Sequence, residues 1–73
     1  MVDLESPVPL YMQLADILRA QIRDGTLVSK VPSIRTLAQA YGIANVTAAR
    51  ALELLRDEGL IVSAKGKGYY VAR

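Results

Sequence analysis

The chain contains neither cysteine nor histidine among its 73 residues. Zinc sites, disulfide frameworks and thiol or imidazole catalysis depend on these two side chains and are therefore excluded. Carboxylates and bases alone leave little enzymatic chemistry. We therefore expect no metal site, no cofactor and no catalytic residue, and the sequence predicts a protein that is not an enzyme.

Long apolar runs are also missing, although 52% of the residues are hydrophobic. No run approaches the roughly 20 residues that a membrane-spanning helix needs. Asp3 and Glu5 place acids where a signal peptide carries bases. The sequence therefore predicts a cytoplasmic protein without a membrane partner.

The short length limits the hydrophobic core. A folded chain of this size buries only about 60% of the surface that it exposes when unfolded. We expect residues 1–73 to form a single domain without an effector domain, stabilised in part by a second copy in a homodimer.

Net charge is only +2, but it is distributed unevenly. Residues 1–24 hold four acids and two bases, a net charge of −2, whereas residues 25–73 hold three acids and seven bases, a net charge of +4. The later part of the chain is therefore expected to carry the surface that meets an anionic partner.

Apolar residues recur at helical spacing in three segments. The first predicted helix covers roughly residues 9–24. The second opens at Ser33, whose hydroxyl can cap free N–H groups, and ends at Gly42, while the third begins near Asn45 and ends before Gly59. The residues expected to face the core are Leu10, Leu14, Ile17, Leu18 and Ile22 in the first helix, Ile34, Leu37 and Ala38 in the second, and Ala48, Ala51, Leu52 and Leu55 in the third.

Beyond the third helix the hydrophobic period changes to about two, which predicts a hairpin with strands near 60–64 and 69–72. Because an isolated hairpin is unstable in water, this one must pack against the helices. The order of one helix, a helix-turn-helix and a hairpin predicts a mainly α winged helix-turn-helix fold. The hairpin residues expected to make the packing contacts are Leu60, Val62 or Val71, with one of Tyr69 and Tyr70.

The exposed side of the third helix is divided by charge. Its first two turns are neutral or basic and its C-terminal end is acidic, so only the start of the helix suits a polyanion. Helix-turn-helix proteins place the start of this helix in a major groove. The residues predicted to face outward are Val46, Arg50, Glu53 and Asp57, with Asn45 and Ala49 on a flank.

Five side chains at the start of this helix fit contacts with duplex DNA. Asn45 suits adenine, and Arg50 suits a guanine edge or a phosphate. Val46 or Ala49 can touch a thymine methyl group, and Thr47 fits a phosphate. The alternatives are that Asn45 only caps the helix and that Arg50 is only a solvated side chain.

Arg35 lies in the first turn of the second helix, where a base opposes the helix dipole unless an anion is nearby. Together with Ser33 and Thr36 it forms a candidate phosphate site of N–H groups, hydroxyls and one guanidinium. The alternative is a salt bridge from Arg35 to an acid of the first helix, such as Asp16.

Lys65, Gly66 and Lys67 are predicted to form the hairpin tip. Glycine permits a tight turn, and the two lysines suit phosphates or a minor groove. We refer to this tip as the wing.

The motifs in this order resemble the GntR family, in particular its HutC and YtrA branches, over nearly the whole chain. The matching landmarks are Pro9-Leu10-Tyr11, Gln13, Ile22, Gly25, Pro32-Ser33-Ile34-Arg35-Thr36-Leu37-Ala38, Gly42, Thr47, Ala51-Leu52, Leu55, Glu58-Gly59-Leu60-Ile61 and Gly66-Lys67-Gly68-Tyr69-Tyr70-Val71.

The resemblance implies a DNA-binding domain, usually of a repressor. Such a regulator binds a palindromic operator as a dimer and is controlled by a small ligand that binds to a separate C-terminal domain. It further implies that Arg35 is the DNA contact of the second helix, Thr47 a phosphate contact and Gly66 the wing-tip glycine. The chain departs from the family pattern at Ala44-Asn45, where Ser-Arg is common, and at Ala49, where arginine is common. Two arginines that usually contact nucleobases in the family are therefore absent from this chain.

Sequence-specific binding of double-stranded DNA in transcriptional control is the leading hypothesis, with no small-molecule site in this chain. Two alternatives remain open. Winged helices also serve as protein-interaction modules, and the acidic end of the third helix is compatible with that role. A recombination or replication factor of a mobile element would use the same DNA chemistry.

Overall fold

A computed structural model describes residues 2–72. Three helices, α1 (Leu10–Asp24), α2 (Ile34–Tyr41) and α3 (Asn45–Asp57), precede two antiparallel strands, β1 (Ile61–Ala64) and β2 (Gly68–Val71). The predicted winged helix-turn-helix order is confirmed, and the element bounds agree to within about two residues. Within residues 2–72 no helix is long and apolar enough to cross a membrane.

The turn between α2 and α3 depends on Gly42. Its φ of +67° lies in the left-handed region that favours glycine. The N–H groups of Gly42 and Ile43 both donate to the carbonyl of Ala38, which ends α2 and reverses the chain. Only residues 42–44 separate the two helices.

The core lies where α3 packs against α1 and α2. The predicted inward residues of α3 are all buried, as are Leu37 and Ala38 of α2. The small residues in this set allow the helix backbones to approach closely, because larger side chains would hold them apart. Alanines with no exposed surface are Ala15, Ala48 and Ala51, and the largest fully buried side chains are Leu14, Leu18, Val31, Leu52, Leu55 and Ile61.

The prediction for the inner face of α1 is partly wrong. Leu14 and Leu18 are buried as expected, but Leu10 and Ile17 are only half-buried, and Ala15 lies fully in the core. The buried stripe is therefore rotated toward Ala15, with Tyr11 and Ile22 packed against the core beside it.

Of the three alternatives predicted to pack the hairpin against the helices, Val62 is not used, because it is 50% exposed, whereas Ile61 is buried. Successive side chains of a strand point to opposite faces, so an inward Ile61 turns Val62 outward. Leu60 and Val71 do pack against the core, and Tyr69 is the tyrosine that joins them. Tyr70 lies opposite Val62 in the strand register.

The connector after α1 contains a third paired segment that the sequence pattern did not predict. The N–H of Val31 donates to the carbonyl of Tyr69 at 2.9 Å, and the N–H of Val71 donates to the carbonyl of Ser29 at 2.7 Å. An antiparallel bridge between Lys30 and Tyr70 lies between these bonds. Residues 29–31 therefore extend the sheet beyond β2.

A bidentate ion pair joins α1 to the end of α3. Arg19 Nε donates to Glu58 Oε1 at 3.0 Å and Arg19 Nη2 to Glu58 Oε2 at 2.7 Å, and Asp16 accepts from Arg19 as well. The hydrogen bond to Glu58 is the main cause of the raised pKa of Arg19. This pairing neutralises one of the acids near the end of α3.

Leu52→Ala is expected to lower the free energy of unfolding by about 3 kcal/mol, because it leaves a cavity in a fully buried layer. Val46→Ala is the control in the same helix, since Val46 is 74% exposed and its truncation should change stability by less than about 0.5 kcal/mol. Urea titrations of both variants, followed by circular dichroism, measure the difference. Equal losses in the two variants would contradict the packing described above.

Candidate nucleic-acid interface

The first turn of α3 is open to solvent. Asn45 and Val46 are exposed, and Thr47 is half-buried. Ala44 occupies the position before the helix and supplies no side-chain cap. The capping alternative for Asn45 is wrong, because Asn45 is already helical and its side chain makes no hydrogen bond within residues 2–72. Its amide is thus available to an external partner.

Arg50 is placed by an aromatic ring. Its guanidinium carbon lies 4.5 Å from the centroid of the Tyr11 ring, at the start of α1. Arg50 is therefore more than a freely solvated side chain, and its contact with Tyr11 is a feature that the sequence pattern did not predict. An open groove of about 260 Å³ beside the pair is lined by Leu10, Tyr11, Val46, Thr47 and Arg50.

The residues that open α2 are arranged around its first turn. Ser33 Oγ accepts from the N–H of Thr36 at 3.1 Å and donates to Thr36 Oγ1 at 2.9 Å. The two hydroxyls are thus partly engaged with each other, and the predicted cap is confirmed. The N–H groups of Ile34 and Arg35 precede the first intrahelical bond and have no acceptor within residues 2–72, so they are left for an external acceptor.

Arg35 is exposed and has no acid partner within the described part of the chain. Asp16, the partner considered for it, binds Arg19 instead. The salt-bridge alternative is therefore wrong. A guanidinium without an internal counter-ion stands beside the positive end of a helix dipole, which favours an external anion.

The wing is a three-residue loop closed by the pair of Ala64 with Gly68. The N–H of Lys67 donates to the carbonyl of Ala64 at 2.9 Å, and Gly66 has a φ of +73°. Both wing lysines are exposed, and neither has an acid partner within residues 2–72.

The comparisons with known proteins agree with this geometry. A family model described as "Bacterial regulatory proteins, gntR family" matches residues 10–71. The chain belongs to the GntR family.

Relatives in this GntR family include two bacterial repressors. The HTH-type transcriptional repressor NagR of Bacillus subtilis (strain 168) is 36% identical over 74 residues, covering 99% of this chain and 30% of NagR. The mannosyl-D-glycerate transport/metabolism system repressor MngR of Escherichia coli (strain K12) is 37% identical over 65 residues, covering 86% of this chain and 27% of MngR. The chain thus spans less than a third of the length of these relatives.

Solved GntR-type structures have the same fold. YtrA from Sulfolobus acidocaldarius, a GntR-family transcription factor, superposes with a TM-score of 0.91 at 40% identity, over 100% of this chain and 79% of YtrA. The DNA-binding domain of AraR in complex with operator ORX1 superposes with a TM-score of 0.89 at 28% identity, over 99% of this chain and 95% of that one.

Ser33→Ala is expected to lower the free energy of unfolding by about 1 kcal/mol, because the N–H of Thr36 loses its acceptor. Ser63→Ala, at an exposed position of β1, is the matched control and should have little effect. Thermal unfolding of both variants measures the difference. A Ser33→Ala variant as stable as the control would show that the cap does not stabilise α2.

Proposed function

We propose that this domain binds double-stranded DNA sequence-specifically and acts in transcriptional control, as a repressor at a palindromic operator. The observation that carries the proposal is the set of exposed basic side chains at the start of α2, within α3 and on the wing, none of which has an acid partner within residues 2–72. Membership of the GntR family supports it, as does the similarity to a domain whose structure was determined with an operator.

The proposed contacts divide into two kinds. Contacts with the phosphate backbone of DNA come from hydroxyls, N–H groups and basic side chains, and they position the protein on the duplex. Contacts with the edges of the nucleobases come from side chains that reach a groove, and they supply specificity. We assign the first kind to Ser33, Arg35, Thr36, Thr47, Lys65, Gly66 and Lys67, and the second to Asn45, Val46, Ala49 and Arg50.

The pattern of ion pairs favours this assignment. Among the described residues, Arg19 pairs with Asp16 and Glu58, and Arg56 lies 3.6 Å from Asp57. The basic side chains assigned to DNA have no acid partner within residues 2–72, a property that they share with Arg23 and Lys30. A phosphate approaching them displaces only water, so its attraction is not offset by a broken ion pair.

Substituting Arg35 and Lys67 together by Gln is expected to weaken operator binding at least tenfold. It should also reduce the slope of log affinity against log salt by about two, because two phosphates are no longer neutralised by the protein. The double variant of Arg23→Gln with Arg56→Gln removes the same charge from the last turns of α1 and α3 and is the matched control. Fluorescence anisotropy at several salt concentrations, on duplexes selected from a random pool, gives both quantities.

Two other results would contradict the proposal. Selection that enriches no sequence, with binding by the native chain that is independent of salt, would exclude sequence-specific DNA binding. Equal DNA binding by the two double variants would contradict the assignment of Arg35 and Lys67 to phosphate contacts. The protein-interaction alternative predicts that both residues are dispensable and that partner binding stays intact without them.

Selected duplexes are expected to contain two inverted half-sites, because a dimer on DNA presents two copies of the α3 surface related by a twofold axis. Their centres should lie about one helical turn, or a multiple of it, apart. Sedimentation of the complex should give two chains per duplex. A single unrepeated site occupied by one chain would contradict the dimeric part of the proposal.

A further inference from the structure

Tyr11 and Arg50 connect the first turn of α1 to the middle of α3. A cation over the face of an aromatic ring is attracted by the ring quadrupole, and the attraction grows when water is excluded. Tyr11 is half-buried and packs against the core, whereas Arg50 is only partly covered and reaches the surface. The ring is therefore the fixed member of the pair, and the arginine is the member that it holds.

The start of α1, which carries Tyr11, is held by Gln13. The side-chain oxygen of Gln13 accepts from the N–H of Asp3 at 2.6 Å. Its nitrogen donates to the carbonyls of Asp3 and Val8, each at 2.9 Å. These bonds fold the opening residues against α1. The ring of Tyr11 is therefore presented from an ordered turn of chain.

Two grooves of different charge meet at Arg50. The groove toward the start of α3 contains no acid. The groove toward its end contains two, Glu53 and Asp57, and is also bordered by Tyr11 and Arg50. Arg50 borders both grooves. The direction of its side chain therefore determines whether the guanidinium lies at the proposed DNA surface or near the acids at the end of the helix.

Glu53 is the natural competitor for Arg50, because side chains three residues apart are neighbours on a helix. No ion pair joins Arg50 to Glu53 or Asp57 within residues 2–72. The contact that Arg50 makes is the one with Tyr11. Stacking on the ring thus takes the place of a pairing that would neutralise the guanidinium.

We propose that Tyr11 is a positioning residue for DNA recognition. Its ring holds the Arg50 guanidinium beside the neutral groove at the start of α3 and away from Glu53, so that the charge remains available to a phosphate or a guanine edge. This inference rests on the proposed DNA binding of the domain and assigns a role to a side chain outside the helix-turn-helix.

A double-mutant cycle on the native chain tests the proposal. Tyr11→Leu keeps an apolar side chain at the core but removes the ring face, and Arg50→Met removes the cation while keeping much of the side-chain length. Tyr11→Leu alone is expected to weaken binding to the selected duplex by about fivefold. The same substitution in the Arg50→Met background should change affinity by less than about twofold. Tyr11→Phe, which retains a ring, should preserve most of the native affinity.

A direct measurement of the contact separates this inference from the proposed function. In the free protein, NMR signals of the Arg50 side chain should be shifted by the ring current of Tyr11, and Tyr11→Leu should abolish the shift while thermal unfolding stays cooperative. If the native chain binds the duplex but Tyr11→Leu costs the same in both backgrounds, or nothing in either, the positioning role is overturned and DNA binding stands. If the native chain binds no duplex, both proposals fail.

Discussion

The close packing of α3 against α1 and α2 is the constraint on which the rest of the domain depends. Ala15, Ala48 and Ala51 have no exposed surface, and such small side chains permit the helices to lie close together. One side of α3 is thereby committed to the core. The opposite side faces outward, with Arg50 in contact with Tyr11 near its middle, and it displays the neutral start and the acidic end of the helix.

Electrostatic polarity follows from this arrangement and not from net charge, which is only +2. Acids near the end of α3 are partly neutralised by bases from the body of the domain, as in the bidentate pair of Arg19 with Glu58. Arg35 and the wing lysines have no such partners within residues 2–72. The positive charges of these three side chains are therefore left for an external anion, and unneutralised positive charge attracts a polyanion.

Features with a local cause could be predicted from the sequence, while features that depend on distant contacts could not. The bounds of the helices, the Ser33 cap and the inner face of α3 follow from helical periodicity and capping chemistry within a few residues. The error at Ile17, and the choice left open between Leu60, Val62 and Val71, arose because periodicity alone does not define how far an element is rotated against its neighbours. The stacking of Arg50 on Tyr11 joins residues 39 positions apart, and no local pattern signals it.

The pairing of residues 29–31 with β2 has a mechanical consequence. The N–H of Val31 donates to the carbonyl of Tyr69, and Val31 is followed directly by Pro32 and Ser33, so β2 is attached to the chain just before α2 begins. Only a short stretch of hydrogen-bonded backbone separates the wing from Arg35. A ligand that engages both must match a separation built into the protein. For the proposed DNA binding, this means that the width and path of a duplex contribute to recognition beside its bases.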